Sequence, residues 1–327
     1  MSILDGSILV GVESTYGTPA ALTRGYEAKA DMFDRAQSRL ESVGFRTDMQ
    51  TLRSDRVVTV NMGAAGSIEC DMLNKGMGLL LQGCLGTKDG PDQQEATTAY
   101  IQTFETSDSA PADSYTIQTI RPELETGTQP YTYHGCKVTG WSLAQTVDGL
   151  LAVTFDFDCE DSDITTAAGT PSYPATATPF DWTDCVVTLD PDGTPETVDV
   201  LDFSFSADLA LKTDRRYLRG SALKKEPVRS GIPTYSGEIA VDLEATTRYA
   251  EWTAGTVVDM QVVWTGATIE GAYDYEFAMR MQACQWTDAA PKMSLSDTPV
   301  QRLPFRALHD GTNPAVSVTY QSTDTAV

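Results

Sequence analysis

Along this 327-residue chain, apolar and polar side chains alternate in short runs, the pattern of strands that bury one face and wet the other. In Gly66-Ser67-Ile68-Glu69-Cys70-Asp71 the residues Ile68, Cys70 and Met72 share a face. In Gly237-Glu238-Ile239-Ala240-Val241-Asp242 the corresponding residues are Ile239, Val241 and Leu243. The register is common to both, because 239 − 68, 241 − 70 and 243 − 72 are all 171. A helix-like stretch follows each strand, Leu73 to Leu85 and Glu244 to Trp252. Each ends near a glycine able to stop it, Gly86 or Gly255.

Other runs have the same character. Val153, Phe155 and Phe157 point inward while Thr154, Asp156 and Asp158 point out, and Asp148-Gly149 marks a hairpin turn between Trp141–Thr146 and Leu151–Asp158. Val258, Met260, Val262 and Trp264 alternate in the second half, as do Phe203 and Phe205. Tyr133 to Trp141 around Cys136 resembles Phe277 to Trp286 around Cys284. The pattern predicts a mainly β protein of two tandem β-sandwich or barrel modules, each with one packed α-helix. The Thr/Ala/Pro/Gly-rich stretch after Asp163 divides the chain into 1–164, a linker at 165–180, and 181–327.

Composition narrows the function. Lys and Arg number 23 against 46 Asp and Glu, a formal charge of −23 that disfavours capture of nucleic acid by phosphate neutralisation. The six cysteines form no C-x-x-C pair and read as small buried apolar residues. No apolar run approaches the roughly 20 residues needed to span a bilayer. The opening Met-Ser-Ile-Leu-Asp-Gly has no basic residue before an apolar run, so a cytoplasmic protein is expected.

Catalytic candidates are sparse. The histidines His134 and His309 fall in different halves, which leaves no ready His-based metal cluster or Ser-His-Asp arrangement. His134 and Cys136 would share a strand face, yet no further ligands stand near them. The acidic run Asp156 to Asp163 suits a hard cation but has Asp161 where an EF-hand needs glycine and Ala167 where it needs the closing glutamate. Asp190-Pro191-Asp192-Gly193 reads as a tight turn. Gly76-Met77-Gly78 lacks a phosphate-binding context, so no cofactor is expected. Positive charge collects instead before each Gly-x-Ile strand. Arg35, Arg39, Arg46, Arg53 and Arg56 precede the first, and Lys212, Arg215, Arg216, Arg219, Lys224, Lys225 and Arg229 the second. In an acidic protein, such loops are candidates for docking on neighbouring copies.

The opening Val10-Gly11-Val12-Glu13-Ser14-Thr15-Tyr16-Gly17-Thr18-Pro19 resembles the start of major tail tube proteins of long-tailed bacteriophages. Gly66-Ser67-Ile68 leading to Leu85-Gly86, and Gly135-Cys136-Lys137-Val138 before a hairpin, fit the same pattern. The resemblance implies a non-enzymatic virion protein, assembled in the host cytoplasm, whose rings stack into a hollow tail tube. DNA would pass through the lumen without specific binding. The implied partners are other copies of the chain, the tape-measure protein, the tail terminator and the distal tail protein. Two modules per chain imply a trimer closing as a pseudo-hexamer, the alternative being a hexamer in which one module is a decorating domain. The N-terminal arm Leu9 to Leu22, with Leu9, Val10 and Tyr16, is expected to pack on a neighbour rather than in a core of its own. Arg46, Arg53, Arg56, Arg215, Arg216, Arg219, Lys224 and Lys225 complete the expected assembly set. A calcium- or carbohydrate-binding β-sandwich surface protein is the competing reading.

Overall fold

The computed structural model describes residues 5–107, 109, 113–125, 127–291 and 299–327, so the first four residues of the N-terminal stretch lie outside it. The chain is mainly β, with large antiparallel sheets and, among the described residues, two α-helices. In the first half, Ser7–Glu13 pairs with Arg24–Tyr26 and with Ser114–Glu123. Ser114–Glu123 pairs with the long strand Gly127–Thr146, which turns back onto Ala152–Cys159. That strand lies against Val57–Asp71, whose other side carries Ala30–Asp31 and Asp34–Glu41.

The second half uses the same scheme. Cys185–Asp190 pairs with Glu196–Val198 and Val258–Glu270, and then follow Tyr273–Trp286, Val300–Ala307, Thr234–Asp242 and Val200–Asp208. The registers agree as well. Ile8 faces Tyr26 as Val187 faces Val198, Val10 faces Ile117 as Leu189 faces Met260, and Phe155 faces Ile68 as Leu303 faces Ile239. Even an irregularity recurs: a register shift lies between Tyr115 and Ile117 against Cys136 and Tyr133, and another between Val258 and Met260 against Cys284 and Met281. A bulge is an extra residue held in one strand, and its recurrence at matched positions means the backbones bend alike.

The repeated glycine has a steric cause. A methyl group on Gly66 would lie 2.5 Å from the Phe33 ring and 2.6 Å from its Cα; on Gly237 it would lie 2.2 Å from the Ser204 carbonyl oxygen and 2.5 Å from the Phe305 ring. Each glycine lets a neighbouring group cover its strand closely.

The helices are Gly78–Leu85 and Thr247–Ala254, both ending at a left-handed glycine, Gly86 (φ 80°) and Gly255 (φ 67°). The first begins five residues later than expected. Leu73 bridges to Pro179 and Asn74 exchanges hydrogen bonds with Thr178, which holds these residues out of helix. The second runs three residues later at its start and two at its end. The helices also differ in burial. Leu79, Leu80, Leu81, Cys84 and Leu85 are all buried, as befits a helix apolar all round. The second buries Glu251, which accepts a hydrogen bond from Trp286 Nε1 at 2.9 Å, and otherwise lies on the surface.

The stretch 165–180 forms no element but is tied to the first half throughout. Gly25 N donates to Ser172 O, Gly169 N to the Gln118 side chain, and Phe180 N to Met72 O. One continuous hydrophobic cluster runs from Val10 and Phe155 to Trp264 and Tyr320. Because the space at Gly237 is closed by backbone, Gly237→Ala is expected to destabilise by roughly 1–3 kcal/mol, as overpacking does, read as a lower denaturant midpoint at unchanged m-value.

Candidate assembly surfaces

The two halves meet by strand pairing. Gly140–Thr146, the end of the long first-half strand, runs antiparallel to Asp202–Asp208 over seven residue pairs. Across this joint the Trp141 and Phe205 rings lie 4.9 Å apart, each almost fully buried. A second seam joins Ser317–Ser322 to Tyr100–Thr106. The first joint makes one sheet of strands from both halves, beginning at Ala30–Asp31 and Asp34–Glu41 and ending at Cys284–Trp286.

This sheet has two chemically distinct faces. Ile68, Phe155, Leu143, Phe203, Ile239 and Phe305 are buried on one. The other presents Glu69, Thr154, Ser142, Ser204, Glu238 and Arg302, with Arg302 bridging Glu238 at 2.5 Å and Asp202 at 3.4 Å. Asp34–Glu41 is exposed along its whole length and, among the described residues, pairs on one side only, with Val57–Asp71. Such an edge carries a row of unpaired N–H and C=O groups able to receive another strand.

The N-terminal motif is folded inward. Leu9 and Val10 are fully buried in the chain's own core, which corrects the expectation that this segment lacks a core of its own. Val10 lies opposite Ile117 in the core cluster, whereas Leu9 faces the other side of the sheet, where Gly169 of the connector lies against it. Glu13 is a buried carboxylate with four donors: Ser114 Oγ at 2.7 Å, Gly135 N at 2.8 Å, Gly17 N at 2.9 Å and Thr116 Oγ1 at 3.0 Å. It ties the Tyr16–Gly17 turn to the bulge beside Cys136. Burial, and then Glu160, pushes the Tyr16 hydroxyl well above its ordinary range.

The two basic stretches diverge. Residues 42–56 join two strands that project beyond the sheet, since Ala152–Cys159 stops pairing at Ala64 while its partner strand continues back to Val57. Arg46 and Arg56 are exposed there, and Arg53 holds Asp55. The second stretch folds against its own chain. Arg215 and Arg216 donate to the carbonyls of Glu226 and Ala222, Arg219 donates to that of Leu223, and Lys225 lies over the Tyr217 ring. Buried Lys224 pairs with Asp158, while buried Lys137 pairs with Glu226 at 2.5 Å. Burial raises the Asp158 carboxyl pKa, and the Lys224 ammonium draws it partly back. These cations are therefore engaged inside the chain. In the second half, Arg306 and Gln285 occupy the paired positions that Asp158 and Lys137 occupy in the first.

The remaining chemical candidates are dispersed. Asp158 faces Lys224, Asp161 pairs with Arg35 at 3.1 Å, and Asp163 accepts from the Thr165 backbone and hydroxyl. Among the described residues no group of three or more His, Cys, Asp or Glu is placed to hold a metal. The bulge breaks the alternation that would put His134 and Cys136 on one face, and Cys136 turns into the core while His134 stays partly exposed. Five cysteines are buried and Cys185 is partly so; burial pushes the thiols of Cys70 and Cys185 up to about 12.

The sequence had no local signal for the Trp141–Phe205 joint or the Lys224–Asp158 pair, whose partners lie 64 and 66 residues apart. Asp158→Asn leaves Lys224 buried without a countercharge and is expected to cost about 3 kcal/mol and open 213–227 to limited proteolysis. Combining Asp158→Leu with Lys224→Met restores stability to near wild type.

Among curated proteins none matches the chain. The family model for phage tail tube proteins matches residues 4–307, nearly the whole length. With its β-rich fold, its paired halves and its open sheet edge, this chain belongs to the phage tail tube protein family.

Proposed function

We propose that three copies of this chain close into a pseudo-hexameric ring, and that rings stack into the hollow tube through which the phage genome passes. The observation that carries this reading is the joint inside the chain. Each half comprises an equivalent module, residues 1–164 and 181–327 with 165–180 as connector, and Gly140–Thr146 of the first covers the edge of Val200–Asp208 in the second. The first-half counterpart of that edge is Ala30–Asp31 with Asp34–Glu41, since Asp31 faces Ile68 as Phe203 faces Ile239. Among the described residues nothing covers it in this way. A second copy supplies one when the far end of its sheet, at Cys284–Trp286, is brought alongside, and repeating the step closes a barrel with no edge left.

In this barrel the apolar face turns outward to the chain's own core, and the face bearing Ser142, Thr154, Ser204, Glu69 and Glu238 lines the lumen. Hydroxyls with a carboxylate excess offer a polyanion few attractive contacts, so DNA slides through water without adhering. The protein acts as a virion structural component and not as a catalyst. Other tail proteins, including tape measure, terminator and distal tail protein, would contact the tube's lumen or ends.

Sedimentation and native mass spectrometry of concentrated protein are expected to give species in multiples of three 35.4 kDa chains, with annuli under the electron microscope. Met32→Pro, on the exposed edge, is expected to leave a folded monomer that forms no ring, because proline removes an N–H donor the neighbour needs. A Met32→Pro protein that closes rings as the wild type does would refute this mode of closure.

A further inference from the structure

Two apolar surfaces stand exposed at opposite ends of the long sheet. At one end is the projecting loop 42–56, with Phe45 wholly exposed, Val43 85% exposed, and Met49 and Leu52 nearly half exposed. At the other end, where Asp71, Thr146 and Asp202 lie, a groove of about 480 Å³ is walled by Val147, Trp182, Val186 and Leu201. These four side chains are 40–47% exposed although apolar.

We propose that the loop 42–56 of one chain docks in the Trp182–Val186–Leu201 groove of a chain in the next ring, once per chain. The proposal rests on the ring reading above and names the surface that stacks the rings. Position supports it: a projection at one end and a groove at the other form a heterologous contact, which repeats without limit along an axis. Charge supports it too. The loop 42–56 holds Arg46, Arg53 and Arg56 against Asp48 and Asp55, and the groove lining includes the carboxylates Asp199 and Asp202 with no Lys or Arg. The basic projection thus meets an acidic rim around an apolar floor, the arrangement that guides encounter and fixes orientation.

The alternatives inside a ring are closed by the differences between the halves. Folding sideways as the second loop does would bring the arginines of 42–56 toward Arg306, where the first half offers Asp158. The first half differs at the positions that wall the groove. By the shared register Ser7 stands in the place of Val186, and Lys29, bridged to Asp71 at 2.8 Å, in the place of Leu201. One projecting loop and one acidic apolar groove per chain give matched numbers and three such contacts per ring interface.

The test uses the full chain with Phe45→Glu on the loop and Val186→Arg in the groove, both solvent-exposed positions whose folding is checked by thermal unfolding. Each variant alone is expected to form trimeric rings at wild-type yield, with the concentration needed for tubes raised about tenfold or more. Mixed as preformed rings, they are expected to give ring pairs and no longer stacks, because only one combination of loop and groove remains intact. Tubes from either variant at the wild-type concentration, or a mixture with no paired rings, would overturn the docking while leaving ring closure standing. Wild-type protein that closes no ring would remove the reading beneath it.

Discussion

Backbone pairing across the middle of the chain is the constraint that organises this protein. Every peptide group carries a donor and an acceptor, and a sheet that stops inside a compact body must cover its last strand or leave those groups unmet. Here Gly140–Thr146 serves two neighbours, Ala152–Cys159 on one side and Asp202–Asp208 on the other, so that two similar halves become one sheet. The Trp141–Phe205 contact and the continuous core follow from that placement, since the strands carry their apolar faces with them. The same geometry leaves an open strand at 34–41, and the family to which the chain belongs gives that opening a use.

The strands were legible in the amino-acid pattern because each has one wet face. Val258, Met260, Val262 and Trp264 are fully buried on alternate positions, as are Val153 and Phe155, and the glycines that end both helices are left-handed as their positions imply. What escaped was nonlocal. Nothing in 73–77 reveals that Asn74 is held by Thr178, so the first helix was drawn too long. The connector's composition correctly denied it an element, yet gave no hint that it is tied down along its length. Glu13 read as part of a motif, but a carboxylate among Ser, Thr and Gly shows its burial only when four donors converge on it from distant segments.

The two basic stretches show how equivalence can mislead. Their matching positions suggested matching roles, and local charge content supports no distinction between them. Their surroundings differ: a carboxylate waits beside Lys224, whereas an arginine stands at the paired position in the other half. A lysine can enter a nearly buried place only with a partner, and Asp158 is that partner for Lys224.

The internal joint has a consequence for how quickly copies find one another. It is made within one chain, so in the barrel proposed above half of the joints would exist before any encounter. Joining six separate bodies demands a succession of improbable collisions, each losing translational freedom. In the trimeric ring proposed above, fusing them in pairs would lower the molecularity of nucleation from six to three, the entropic cost of joining each pair having been met when the chain was made.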